Sequence, residues 1–179
     1  MRMLFDSDFE VVLANTEESK KLHYALRYQV YCQEMQYEDA AQFADQMEKD
    51  ELDTSSVHFI VRAKRTGEWL AAIRFIVGEL ETLPTYNLLP AGSFHQQRMA
   101  EGVRCSGARV ALEISRMCIL GSYRKTGASL SSHDGCSNIY GVQRQRQPEV
   151  LLGLMRTAYA YCLSKQINIC LFTITRSLA

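Results

Sequence analysis

Val110-Ala-Leu-Glu-Ile-Ser-Arg-Met-Cys-Ile119 has the composition of a buried β-strand: mostly apolar, β-branched at intervals, with Gly121 just past its end. Two charges, Glu113 and Arg116, sit inside it. A charge in a core strand is costly unless it is paired, hydrogen-bonded or used. More charges lie among core-like residues upstream: Arg27, the cluster Glu48-Lys-Asp-Glu-Leu-Asp53, and Arg74. These are expected to converge on Glu113 and Arg116 and to line one cleft. Residues three apart in a regular strand point to opposite faces. Both charges therefore reach one cleft only if the strand bulges or splays between them.

Upstream of this strand, Val57–Ala63 and Trp69–Val77 read as a β-hairpin turning at Thr66-Gly67-Glu68. Arg74 falls mid-strand between apolar neighbours on either face. Phe9–Leu13 reads as a first strand. A helix then starts at Asn15, with Glu18 as reciprocal cap, and runs to about Gln33 or Glu34. Leu22, Ala25, Leu26 and Val30 recur at helical spacing as its buried face. Arg27 falls on a neighbouring stripe with Lys20, His23 and Glu34, and helix geometry alone favours a solvated stripe. Residues 35–56 read as a polar loop ending in the acidic cluster, and 79–108 as a long loop made locally basic by Arg98, Arg104 and Arg109.

Downstream, a Ser/Gly/Asn-rich stretch runs to Gln147. Pro148 opens a helix with Leu151, Leu152, Met155, Ala158, Tyr159, Cys162 and Leu163 on one side, and Ile167–Thr175 reads as the last strand. The order β-α-β-β-β-α-β gives an α/β (α+β) class. A mixed sheet carries flanking helices, with an antiparallel part from the hairpin and a parallel part from the late strand-helix-strand unit. No repeat or linker divides the 179 residues, so a single domain, 1–179, is expected.

A formal net charge of zero leaves no global field to draw the chain onto nucleic acid or a membrane surface. No apolar run approaches the roughly 20 residues of a membrane span, and the first residues are too quickly acidic for a signal peptide. The six cysteines form no C-x-x-C pair and no zinc-finger spacing, which favours free thiols and a cytoplasmic location, with no metal site expected.

Order and motifs together resemble the GNAT acyltransferase fold and, within it, the autoinducer-synthase branch. The likeness extends to acyltransferases associated with exosortase/PEP-CTERM gene clusters and to N-acyl amino acid synthases. Leu26-Arg27-Tyr28-Gln29-Val30-Tyr31 is similar to the R-x-x-V-[FY] signature of the first helix. Glu48-x-Asp50-x-x-Asp53 is similar to the following E-x-D-x-x-D, Arg74 to a strand arginine, and Glu113-Ile-Ser-Arg116 to an E-x-S-R strand. The resemblance implies a cleft network of Arg27, Tyr31, Asp50, Asp53 and Arg74, with Glu113 and Arg116 as catalytic residues. No permanently bound cofactor is implied. The acyl donor would be acyl-CoA or acyl carrier protein, and the partners a carrier protein and a small amine. The CoA-pyrophosphate signature of general GNAT proteins is only partial here, as Arg124-x-x-Gly127-Ala128, with the helix delayed to Pro148. That favours the carrier-protein donor, with Arg124 and Lys125 as docking cations. Relatives continue past the last strand, so the chain is expected to be a truncated version of the family domain.

The chemistry implied is acyl transfer from a thioester to an amine, with Glu113 taking the proton of the ammonium. Cys118 is a rival nucleophile, but no histidine is placed persuasively beside it. The alternative of a different class is a catalytically inactive acyl-binding or regulatory domain of the same fold.

Overall fold

The computed structural model describes residues 4–107, 110–124 and 147–172. In chain order its main elements are α1 (Leu4–Asp8), β1 (Phe9–Leu13), α2 (Glu17–Arg27), β2 (Val57–Ala63), β3 (Trp69–Gly78), α3 (Pro84–Asn87), α4 (Phe94–Ser106), β4 (Ala111–Ile119), α5 (Gln147–Lys165) and β5 (Cys170–Phe172). The five strands form one sheet in the order β1-β2-β3-β4-β5. The pairs from β1 to β4 are antiparallel, and β4 runs parallel to β5 over Leu112–Ile114. The expected mixed sheet with flanking helices is therefore the fold.

The hairpin forms where alternating apolar residues meet a turn that needs a left-handed backbone. Gly67 supplies it at φ +74°, and its N–H closes on the Ala63 carbonyl at 2.8 Å. Leu70 through Ile76 are buried without a break, so β3 is covered on both faces. On one face Phe75 and Phe59 meet Tyr161 of α5. The other face carries His58 opposite Arg74 in register and lies under α2.

α2 is capped by Thr16, whose hydroxyl takes the Ser19 N–H while Ser19 returns the bond, one residue later than the Asn15/Glu18 box expected from sequence. The helix is also rotated from its expected setting. Leu22 and Ala25 are exposed, whereas His23, Leu26 and Arg27 are buried. The solvated stripe is thereby overturned, because the loop after the helix brings carboxylates over Arg27. Past Arg27 the turns widen into a π-helix, Tyr28–Glu34, closed by a bond from Met35 N–H to the Val30 carbonyl at 2.9 Å.

Residues 79–107 are not one loop. Ser93 caps α4, Gly107 ends it at φ +65°, and Met99, Ala100 and Val103 pack on a small cluster of Ile76, Leu80, Leu83, Ala111 and Leu171. α5 buries Val150, Gly153, Leu154, Ala158 and Cys162, and leaves Leu152, Tyr159 and Leu163 exposed. Its buried face is thus turned from the expected one, because apolar residues occupy both sides of the helix and periodicity alone does not choose between them. The last strand begins at Cys170, later than the expected Ile167, and is described to Phe172; residues 173–179 lie outside the described residues.

Candidate active site

The site begins in the acidic cluster. Asp50 starts a short 3-10 turn, Glu51–Ser55, and the Asp53 carboxylate takes the Asp50 N–H at 2.8 Å while Asp50 takes the Leu52 N–H at 3.0 Å. This local geometry aims both carboxylates at the sheet. Asp53 Oδ1 then accepts from Arg27 Nη1 at 2.6 Å, Arg74 Nη1 at 3.1 Å and His58 Nε2 at 2.9 Å. Arg74 also donates to Asp50 Oδ1 at 2.6 Å and to Ser115 Oγ at 3.1 Å. Arg27 pairs with Glu48 through its Nε. Arg116 lies 3.3 Å from Glu48, 3.1 Å from Glu38 and 3.7 Å from Asp50.

Arg27, Glu48, Asp53, His58 and Arg74 are all buried, whereas Asp50, Glu38 and Arg116 are about one-third exposed at the rim (28%, 32% and 29%). Burial alone would raise the Asp53 carboxyl, but hydrogen bonds from His58 and Arg27 overcome it and hold it well below the usual carboxylate range. Burial opposes the Arg27 charge, and the bond to Glu48 more than restores it. His23 has no such anion. Burial, then the charge on Arg27, hold it neutral with a pKa of about 3, and its Nε2–H meets the Ile73 carbonyl at 3.3 Å.

β4 carries the irregularity that strand alternation demands. Arg74 stands opposite Ser115 and Ala72 opposite Cys118, so Arg116 and Met117 together face Ile73. Arg116 takes φ +47°, a left-handed conformation that costs a non-glycine residue roughly 1–2 kcal/mol. The bulge turns Arg116 to the face that carries Arg74 and the carboxylates. Tyr31 sits against it. Its hydroxyl donates to the Met117 carbonyl at 2.9 Å, and the Arg116 guanidinium lies over its ring at 5.6 Å.

Glu113 shares that face, since it stands opposite Ile76 as Ser115 stands opposite Arg74. The arginine network does not include it. It is 5% exposed, and its Oε2 accepts the Thr85 N–H at 2.9 Å at the start of α3. The structure thus brings Arg27, Asp50, Asp53, Arg74 and Arg116 into one network, sets Tyr31 against its edge, and holds Glu113 further along the same strand. Arg124 pairs with Glu34 of the π-helix. Lys125 lies outside the described residues, as do Gly127 and Ala128.

Cys118 is buried, and burial pushes its thiol up, away from the reactive thiolate that nucleophilic attack requires. Among the described residues no group of three or more His, Cys, Asp or Glu side chains is arranged to hold a metal ion. No described helix is long and apolar enough to cross a membrane. Sequence reasoning missed His58, Ser115, Glu38 and Thr85 as neighbours of the site. The hairpin register places His58 opposite Arg74, and that was a usable signal. Nothing local in the sequence marks Glu38 or the Thr85 N–H.

The described residues thus form a mixed sheet packed by α2 on one face and α5 on the other, with a bulged strand beside a network of buried and rim charges. Residues 26–132 match the family described as Acetyltransferase (GNAT) domain, and the chain belongs to that family. Acetyltransferases of this kind take their acyl group from an acyl-CoA thioester. A GCN5-related N-acetyltransferase from Ralstonia eutropha JMP134 has a similar fold, with TM-score 0.50 at 16% identity over 94% of this chain and 85% of that one. A predicted acetyltransferase with acetyl-CoA from Clostridium acetobutylicum aligns at TM-score 0.46 and 8% identity, over 95% of this chain and 83% of that one. No curated protein sequence matches the chain.

Proposed function

We propose that this protein is an N-acyltransferase of the autoinducer-synthase type. It moves a fatty acyl group from a carrier-protein or CoA thioester to the amine of an amino acid or similar small molecule. The observation that carries this reading is Glu113, a largely buried carboxylate on the face of β4 that also carries Ser115 and the charge network. Oε2 is held by the Thr85 N–H, while Oε1 makes no hydrogen bond among the described residues. That oxygen is placed to accept a proton.

An ammonium has no lone pair, so Glu113 takes its proton directly or through water. The free amine then attacks the thioester carbonyl carbon. The tetrahedral oxyanion collapses, the C–S bond breaks, and the thiol leaves with a proton. Asp50 and Glu38, the partly exposed carboxylates of the rim, are suited to attract the incoming ammonium, and Arg116 fixes their spacing. Asp53, Arg27 and Arg74 brace the cleft from beneath. With a carrier protein as donor, Arg124, which follows the turn after β4 and would have to exchange Glu34 for an acidic partner, and Lys125, next in sequence, are the cations proposed to meet its acidic surface.

The test is incubation with long-chain acyl carrier protein or acyl-CoA in separate arms, each with an amino-acid mixture, followed by mass spectrometry for N-acyl product. The expected result is product that falls about 100-fold or more in rate in Glu113→Gln. Product at the original rate in that variant would overturn the base assignment. Acyl binding without product in either arm would replace the enzyme with a binding module. Product from acyl-CoA alone would remove the carrier protein as partner.

A further inference from the structure

Two carbonyl groups at the β3/β4 irregularity are taken by side chains from one continuous helical stretch. On β3, the carbonyl of Ile73, the residue facing the bulge, accepts from His23. On β4, the carbonyl of Met117, within the bulge, accepts from Tyr31. The Tyr31 phenol is pushed above its ordinary pKa, first by burial, so it stays a neutral donor. A third contact binds the same ring, because the Arg116 guanidinium lies on its face. The π-turns keep Tyr31 in this place, and its own carbonyl receives the Tyr37 and Glu38 N–H groups at 2.8 and 3.2 Å. Glu38 in turn pairs with Arg116.

From this closed set of contacts we propose that Tyr31 is a positioning residue that fixes the bulge of β4 in its working conformation. It does so through two handles on consecutive residues. The hydroxyl sets the Met117 peptide plane. In a trans peptide the C=O and the next N–H point opposite ways, so holding the Met117 oxygen also fixes the direction of the Cys118 N–H. The ring lies under the Arg116 guanidinium and, with the ion pairs to Glu38, Glu48 and Asp50, sets the direction of that side chain. Together they hold the rim charges at fixed spacing from Glu113. For turnover the proposal rests on the acyl-transfer reading. For structure it does not.

The experiment uses the whole chain as Tyr31→Phe and Tyr31→Leu. Amide hydrogen exchange over residues 115–119 is measured without substrate, and kcat and KM with whichever donor turns over in the unsubstituted protein. Tyr31→Phe keeps the ring and loses the donor. Exchange at 115–119 is expected to rise about tenfold in it, with β1 and β2 unchanged, as for loss of one buried hydrogen bond. kcat is expected to fall by about the same factor, with KM for the amine within about twofold. Tyr31→Leu loses both handles and exceeds Tyr31→Phe in both effects. Unchanged exchange at 115–119 in Tyr31→Phe would overturn the proposal. So would a rise spread evenly over the sheet, or outright unfolding, since either makes Tyr31 merely structural. An unsubstituted protein that yields no product defeats the acyl-transfer reading instead, and exchange still decides the role of Tyr31.

Discussion

Asp53 is buried and crowded by donors, which leaves it little to offer a substrate. Arg27, Arg74 and His58 donate to one of its oxygens, and the Asp50 N–H donates to the other. Of the acidic cluster, then, Asp53 and the buried Glu48 are braces, and Asp50, which holds Arg74 with one oxygen, is partly exposed at the rim. Removing one cation from such a set leaves a buried anion underpaired, which is far worse than never having built the pair. Arg27→Met should therefore lower unfolding stability by about 3–5 kcal/mol in urea titration. Arg27→Lys should still be destabilising, because a single ammonium cannot reproduce a guanidinium that reaches Glu48 with one nitrogen and Asp53 with another.

At the level of elements, strands were legible and helix faces were not. β2 spans the residues expected, and β3 extends one residue further, because short runs of β-branched and aromatic residues flanking a Thr-Gly turn leave few alternatives to a hairpin. α2 was misread because its buried face includes His23 and Arg27, which no apolar pattern reveals. The π-turns after it escape periodicity by changing the period. α4 was hidden by its polar composition and by Gly102, and only Met99, Ala100 and Val103 anchor it. The charged motifs were readable in order, but which carboxylate each arginine meets depends on the turn at 50–55 and on the bulge. The α2 cap offers a separable test. Thr16→Ala should cost about 1 kcal/mol in thermal or urea unfolding and leave turnover unchanged, since the exposed Thr16 hydroxyl is bonded only within its own first turn.

Across the whole molecule, the buried titratable groups make acid the direction of instability. His23 stays neutral in the fold down to a pKa of about 3, while in the unfolded chain it takes a proton near 6.5. Between those values the unfolded state binds more protons, so stability falls by up to about 1.4 kcal/mol for each pH unit of acidification. Asp53 adds to this at lower pH. Its carboxyl is depressed in the fold, so its contribution is complete above the unfolded value of about 3.9 and is lost as pH falls toward the folded one. Urea titrations at pH 7.5, 6.0 and 5.0 should show the decline, and His23→Gln should flatten it over that range. An equal slope in the variant would place the titrating group elsewhere.

The arginine network joins α2, the 35–56 segment, β3 and β4, so its members meet only after distant parts of the chain have been brought together. Desolvating these charges before their partners arrive costs several kcal/mol, so the network is expected to close after the folding barrier, and Arg27→Met is expected to speed unfolding in denaturant-jump kinetics with the folding rate nearly unchanged. Contacts made after the barrier do not hasten folding; they slow escape from the native state. On that expectation the network is also the clasp that sets how long each folded molecule survives.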